Sequence, residues 1–410
     1  MLKPSPEATP LDTPSIQSAV DLGDSNAPVV VAVSGGSDSV ALLYWLIERH
    51  PALNLHVATV DHQLRSESAD EALAVGQLCD ELQLPHTTLV WQNTSAATAA
   101  AATSATSATG AADATSSANA RHARYDLLHT HAKTLGASTI VLGHTMDDQA
   151  ETVFMRAQRA RPDSDTRGLS GMAQWATFNR IRLWRPLLGR KRHDLRKSLR
   201  QRQIQWIDDP SNEDPGYERI RVRKHLTDQS TNVPSIEALA RLAGLATRSR
   251  GWMNRQVADA IGRDVVAATC EKLVFSPSDD MPSSVVREVM AVLVLIVGGL
   301  PHRSPTSKLV QFADAAVSKH KMNLTLGRCL ISTHHGQIRV QREARNLPQK
   351  PDMVDKDHIY DGRILLQSCD PGSAPLQSPH ITSLEKFRPA VDDQLYRTAM
   401  ELLDSGCRSK

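Results

Sequence analysis

Directly after Pro28 the sequence VVVAVSGG runs apolar without a polar break and then turns on Ser and Gly, the pattern of a strand buried on both faces of a parallel sheet. Behind it Val40, Leu43, Leu46 and Ile47 recur at helical spacing, so the Ser/Gly turn falls at a strand-to-helix junction with the helix amino terminus pointing at it. LHVATVDH predicts a second strand ending on Asp61 and His62. A helix from about Glu67 to Leu82 follows, with Ala72, Val75, Leu78, Cys79 and Leu82 on one face. A third strand, TIVLGHT, comes after a helix that carries Tyr125, Leu127, Leu128 and Ala132. Strands alternating with helices predict an α/β fold, a doubly wound parallel sheet whose ligand site lies at the carboxyl ends of its strands.

The alternation is interrupted and later changes character. Of the 28 residues from Asn93 to Ala120, 24 are Ala, Ser or Thr, which cannot build a core; the stretch reads as a flexible low-complexity insertion, with enough Ala for a transient helix. After the third strand, Leu195, Leu199 and Ile204 suggest a helix with a dense Arg/Lys face, ended by the turn signals Asp208, Pro210, Asn212 and Pro215. From about Pro234 Ile236, Leu239, Leu242, Leu245 and Trp252 mark a long helix, followed by an apolar helix around Val285 to Val297. LTLGRCLISTHHGQIRVQRE then predicts a hairpin turning at Gly336. The expected organisation is a flexible leader over 1–26, the α/β domain over 27–226, a smaller, mainly helical domain over 234–345 and a weakly patterned tail over 346–410.

Composition narrows the class. A hydrophobic fraction of 40% and a charged fraction of 22% are those of an ordinary globular protein. Five dispersed cysteines without a CxxC pair argue against a disulfide framework, a zinc ribbon or an iron-sulfur cluster and fit a reducing cytoplasm. No signal peptide or membrane span is expected, since the apolar run Val289 to Val297 is too short to cross a bilayer. The net charge of +2 conceals an asymmetry: Arg156 to Lys224 holds 18 Lys/Arg and 8 Asp/Glu, a local +10 against −8 elsewhere. That segment is the expected nucleic-acid footprint, with a solvated charged helix face as the alternative.

The sharpest chemical signal is the hexapeptide Ser34-Gly35-Gly36-Ser37-Asp38-Ser39. Its glycines allow close backbone approach, and serine hydroxyls with exposed amides at a helix amino terminus suit a phosphate. It lacks the Gly-Lys-Ser/Thr ending of a Walker A loop, so hydrolysis at a terminal phosphate is not expected. The hexapeptide resembles the signature of the N-type ATP pyrophosphatases, which cleave ATP between the α and β phosphates. VDHQLRSES, EALAVGQLCDELQLPH, ARHARYDLL, GHTMDDQAET, GLSGM, RPLL and WIDDPSNED, in this order over about residues 27 to 226, are similar to the tRNA(Ile)-lysidine synthetase family.

The resemblance implies a two-step, ATP- and Mg²⁺-dependent reaction. The 2-carbonyl oxygen of the wobble cytidine in a tRNA(Ile) with a CAU anticodon attacks the α-phosphate and expels pyrophosphate, and free L-lysine then displaces AMP to give lysidine. Ser34 to Ser39 would hold the pyrophosphate, Asp38 would position Mg²⁺, and Asp61 would meet the adenosine unless it is a plain strand-end acid. Asp147 and Asp148 would bind Mg²⁺ and the lysine ammonium, a bare pair of aspartates otherwise being a helix cap. His144 would assist proton transfer or touch phosphate, or else pack in the core. Arg121, Arg124, Arg185, Arg190, Arg219, Arg221 and Arg223 are the candidate RNA or phosphate contacts. Two departures stand out: Thr145 occupies the place of a second histidine, and RAQRARPDSDTRGL replaces a Gly-rich run before GLSGM, so the loop after Met155 is expected to cover the site differently. A 2-thiolating relative would need paired cysteines, and a non-catalytic RNA- or nucleotide-binding module would have no use for the aspartates. The sequence leaves the oligomeric state open, a homodimer included.

Overall fold

The computed structural model describes residues 27–160 except 64–66 and 92–108, and 166–345 except 179–180, 209–213, 229–232, 269–270, 301–302 and 305. Beyond these it describes residue 347 and short strand segments between 358 and 389. The leader, the first part of the Ala/Ser/Thr insertion and most of the tail lie outside the described residues. Two compact units emerge, one of residues 1–159 and 171–244, the other of 160–170 and 245–410.

In the first unit the apolar run becomes β1 (Pro28–Ala32), followed by α1 (Ser37–Arg49), β2 (Asn54–Asp61), α2 (Ser68–Glu81) and β3 (His86–Val90). Then come α3 (Thr109–Leu135), β4 (Thr139–Leu142), α4 (Met146–Arg159), β5 (Trp175–Phe178), β6 (Ile181–Trp184), α5 (Arg192–Gln201) and α6 (Glu218–Thr227). The strands lie in the order β5-β6-β4-β1-β2-β3, all neighbours parallel except β5 and β6. Successive β1 side chains enter opposite cores. Val29 and Val31 pack with Leu42, Leu46 and Leu199 on one face, while Val30 and Ala32 pack with Leu128, Ile140 and Tyr125 on the other. Burial of both faces explains the unbroken apolar run. The chain leaves β1 towards β2 on one side and returns to β4 on the other, so a crevice opens beyond the carboxyl ends of β1 and β4, where such sheets bind ligands.

Three strands escaped the sequence pattern. Edge strand β3 is largely solvent-facing, and β5 and β6 are four residues each, too short to display a period. The end of the Ala/Ser/Thr insertion is not a loop: residues from Thr109 onward belong to α3.

The second unit contains most of helix α7 (Ile236–Asp264), then β7 (Val265–Ala268), β8 (Lys272–Phe275), α8 (Ser283–Gly298) and α9 (Val310–Val317). It continues with β9 (Met322–Leu326), β10 (Cys329–His334) and β11 (Gln337–Arg342). The single expected hairpin is part of a five-stranded antiparallel sheet, β7-β8-β11-β10-β9, because a second turn at Gly327 precedes the one at Gly336 and the short β7 and β8 join the edge. Helix α8 is buried all round, from Val285 to Gly298 apart from Arg287, and forms the centre of the second core. In the tail His358–Tyr360, Ile364–Leu366 and Gln377–Pro379 pair as a small antiparallel sheet that the sequence did not announce. Among the described residues no helix is long and apolar enough to cross a membrane.

Candidate active site

The Ser/Gly loop is built to leave amides available. Gly36, extended at φ −70° and ψ 159°, caps α1, and its carbonyl accepts from the amides of Ser39 and Val40 at 3.1 and 3.0 Å and from the Ser39 hydroxyl at 2.9 Å. That hydroxyl also accepts from the Ser34 amide at 3.2 Å, so Ser39 staples the loop from within. The Ser37 and Asp38 amides that open α1 precede its first intrahelical bonds and lie at the positive end of the helix dipole. Gly35 adopts φ +83°, and a Cβ there would lie 2.7 Å from Ile207 Cδ1; the Ile207 amide donates to the Gly35 carbonyl at 2.9 Å. A Cβ on Gly143 would lie 3.1 Å from both the Asp38 carbonyl and Ser39 Cα, so the end of β4 touches the loop backbone directly.

Facing the loop, α4 presents its acids in different directions. Thr145 precedes the helix, and its amide and hydroxyl both donate to Asp148 Oδ2 at 2.8 Å, a capping arrangement that fixes the carboxylate. Asp148 Oδ1 then accepts from Arg192 Nη2 at 3.2 Å and Arg219 Nη2 at 3.1 Å. Burial alone would raise the Asp148 pKa, but Arg192 and Arg219 outweigh it and hold the group ionised far below the usual range. Asp38 Oδ2 accepts from Arg192 Nε at 2.8 Å, yet burial still leaves its pKa raised, with Asp148 and Asp147 adding to the rise. Asp147, one residue and about 100° around the helix from Asp148, instead accepts from the Arg192 amide at 2.8 Å and so caps α5.

Three residues that the sequence motifs do not single out organise this centre. Glu151, 1% exposed, accepts from Arg219 Nε at 2.6 Å and Arg223 Nε at 2.7 Å. Arg192, from the first turn of α5, reaches Asp38, Asp148 and Glu151 together. Arg196, one turn on, donates to the Ser37 hydroxyl at 3.0 Å and to Asp208 at 2.8 Å. Both signals were present: Asp148 and Glu151 stand three apart on one helix face, and Arg192 and Arg196 stand four apart beside buried Leu195 and Leu199.

Asp38, Asp148, Arg192 and Arg196 line a cleft of about 980 Å³ within the first unit, whereas Gly35, Asp147 and Glu151 are not part of its lining. It gathers Ser34, Gly36, Ser37, Asp38, Ser39, Arg121, Arg124, His144, Asp148, Arg219 and Arg223. Other candidates stand apart from its lining. Asp61 accepts from the Gln63 amide at 2.9 Å and the Ser68 hydroxyl at 2.7 Å, closing the turn after β2. Arg185, 4% exposed, donates to the Ala173 carbonyl at 2.9 Å, Arg190 supports the start of α4 through its carbonyl, and Arg221 binds the Pro215 and Gly216 carbonyls at 2.7 Å. His144 is half-buried at the cleft wall, and desolvation with the neighbouring Arg185 holds its pKa well below the usual histidine value. Burial, with Arg121 adding to the effect, also lowers the pKa of Arg124, which marks a cation short of solvent.

A family model described as the PP-loop domain matches residues 13–230, and the chain is 36% identical over 380 residues to the tRNA(Ile)-lysidine synthase of Mesorhizobium japonicum, covering 89% of this chain and 77% of that protein. The chain belongs to the tRNA(Ile)-lysidine synthase family. The enzymes of the same name from Ruegeria pomeroyi and Bartonella quintana are 35% and 31% identical, each over 82% of this chain and 76% and 75% of their own. Within the segment GHTMDDQAET, Thr145 is thus the residue that orients Asp148, and it is 0% exposed. Replacing it by valine should cost about 1–2 kcal/mol. Urea unfolding of Thr145→Val checks this, and an unshifted midpoint would remove the hydroxyl from the account.

Proposed function

We propose that the first unit adenylates the wobble cytidine of tRNA(Ile) with ATP and transfers the adenylated base to lysine. In the first step the cytidine 2-carbonyl oxygen bonds to the α-phosphorus and the bond to pyrophosphate breaks. In the second, a lysine amine bonds to C2, gives up a proton, and AMP leaves with the former carbonyl oxygen. The observation that carries this reading is the junction of the Ser34 to Ser39 loop with Asp38 and Asp148 at the head of one cleft, in a chain of the lysidine synthase family. At about 980 Å³ the cleft is at the upper end of small-molecule sites and has room for a nucleotide and a reacting base.

The chain's own groups divide the work. Loop amides and the Arg196-bound Ser37 hydroxyl receive the leaving pyrophosphate, whose charge the α1 dipole favours. Exposed Arg121 and half-buried Arg124, on the α3 side of the cleft, suit anionic RNA or phosphate, which would also compensate the desolvation of Arg124. Asp38 and Asp148 already hold a cation in the form of a guanidinium, so their oxygens fit Mg²⁺, which is commonly bound through one or two carboxylates and the phosphates of its substrate. When bound, the metal would neutralise charge on the leaving group. The Asp148 carboxylate would orient the lysine ammonium once the cleft is occupied. The second unit would hold the body of the tRNA.

The test is pyrophosphate release by the purified protein with ATP, Mg²⁺ and a minor isoleucine tRNA transcript, followed by mass analysis of the wobble nucleoside with and without lysine. A lysine adduct on cytidine is expected. Release without transfer would keep the adenylation and reject lysine as the nucleophile, and no release at all would reject the catalytic reading.

A further inference from the structure

We infer that Arg192 is a placeholder cation, bridging Asp38 and Asp148 in the free protein where a divalent cation sits once nucleotide arrives, so that cation and nucleotide bind as a coupled pair. The inference rests on the reading of the cleft as a nucleotide site.

Oxygen availability carries the argument. Asp148 Oδ2 is committed to Thr145, which leaves Oδ1 as its open oxygen, and that atom faces Arg192 at 3.2 Å and Arg219 at 3.1 Å. On Asp38, Oδ1 accepts at 3.4 Å from the neighbouring Ser37 hydroxyl, while Oδ2 is held by Arg192 Nε at 2.8 Å. The one guanidinium therefore covers the oxygens by which two elements, α1 and α4, could share a metal. Glu151 adds a third contact at 3.7 Å, and the Arg192 side chain is only 16% exposed. Among the described residues no cluster of three or more His, Cys, Asp or Glu could hold a metal without help.

Without nucleotide, a divalent cation entering the cleft would have to strip Arg192 of Asp38 and Asp148 and leave it poorly paired beside Arg196, Arg219 and Arg223. ATP removes that obstacle, since its phosphates offer the displaced guanidinium a bidentate anionic partner and the incoming metal further oxygens. The reverse holds as well: nucleotide binding is strengthened by the same factor with which it strengthens cation binding. A purely structural arginine predicts something else, namely that its loss weakens cation binding by disordering both acids.

Mn²⁺ serves as the probe, followed by its electron paramagnetic resonance signal in the full-length protein, with and without α,β-methylene-ATP and corrected for Mn²⁺ held by free nucleotide. In the wild type the nucleotide should tighten Mn²⁺ binding at least tenfold. Arg192→Gln should bind Mn²⁺ alone at least tenfold tighter than wild type and lose most of the nucleotide effect. Arg192→Lys, whose single ammonium cannot bridge both acids, should bind Mn²⁺ alone at least threefold tighter and decides the matter if the Gln variant does not fold. Nucleotide binding with Mn²⁺ affinities unchanged or weakened in the variants would overturn the placeholder role alone. Failure of the wild type to bind the nucleotide analogue would overturn the nucleotide site and the inference with it.

Discussion

Asp148→Asn is expected to reduce tRNA-dependent pyrophosphate release by about 10²–10³-fold, the scale seen when a preorganised electrostatic group is removed from an active site. The carboxylate is clamped on one oxygen by Thr145 and on the other by Arg192 and Arg219, so its charge has one fixed position in the cleft. Asparagine keeps the shape but offers no charge, and its amide can present a donor to a guanidinium. Breaking a buried pair in this way costs about 3–5 kcal/mol, because Arg192 and Arg219 remain desolvated with less to balance them. The sign of the pH dependence follows. Arg192 and Arg219 overcome the effect of burial, so the folded pKa of Asp148 lies below its unfolded value of about 3.9. The stability it contributes is therefore complete above that value and fades as pH falls below it. Urea unfolding should show a gap between wild type and variant that is constant from pH 7 to about 4 and narrows below. Pyrophosphate release within threefold of wild type at saturating ATP and Mg²⁺ would contradict the role given to Asp148.

What the sequence could and could not disclose follows from the range of each signal. β1, its loop and α1 were legible because a strand buried on both faces must be apolar throughout and because the turn beyond it carries its own glycine chemistry. Asp38 and Asp148 were legible because their places in the motifs put them beside that turn. The adjacent aspartates at 147 and 148 lie about 100° apart around the helix, so one meets the Arg192 amide and the other its guanidinium, a division that adjacency in sequence does not display. Arg192 was hidden for a different reason. RKRHDLRKSLRQR offers seven cations, and which of them turns inward depends on how Leu195 and Leu199 dock against the sheet, a long-range fact that no local pattern contains. The five-stranded sheet of the second unit was missed because four-residue strands such as Lys272–Phe275 give too few positions for alternation to declare itself.

Gly298→Ala should destabilise the second unit by about 3–5 kcal/mol, beyond the usual range for overpacking. The reason lies in how a hairpin and a helix end share space. Gly298 is the last residue of α8, and Gly299 at φ +60° closes that helix in the left-handed conformation. Against it lies the two-residue turn between β9 and β10, where Gly327 and Arg328 take φ of +59° and +62°, the geometry of a tight hairpin that matches strand twist. A Cβ on Gly298 would fall 2.0 Å from the Gly327 carbonyl oxygen and 3.4 Å from Cys329 Sγ. Neither side can yield cheaply. The helix is held in the core by Val294 and Leu295 and the turn by Leu326 and Cys329, all 8% exposed or less, and Cys329 Sγ also meets the Val294 carbonyl at 3.6 Å. Relief would require backbone displacement of about an ångström through a close-packed interior. Thermal unfolding followed by circular dichroism should show the transition of this unit lowered by on the order of 10 °C. Gly327→Ala provides an independent check from the opposite face, since its Cβ would meet Val294 Cγ1 at 2.6 Å as well as a strained φ. If both variants melt with the wild type, the turn does not sit against the end of α8 as described.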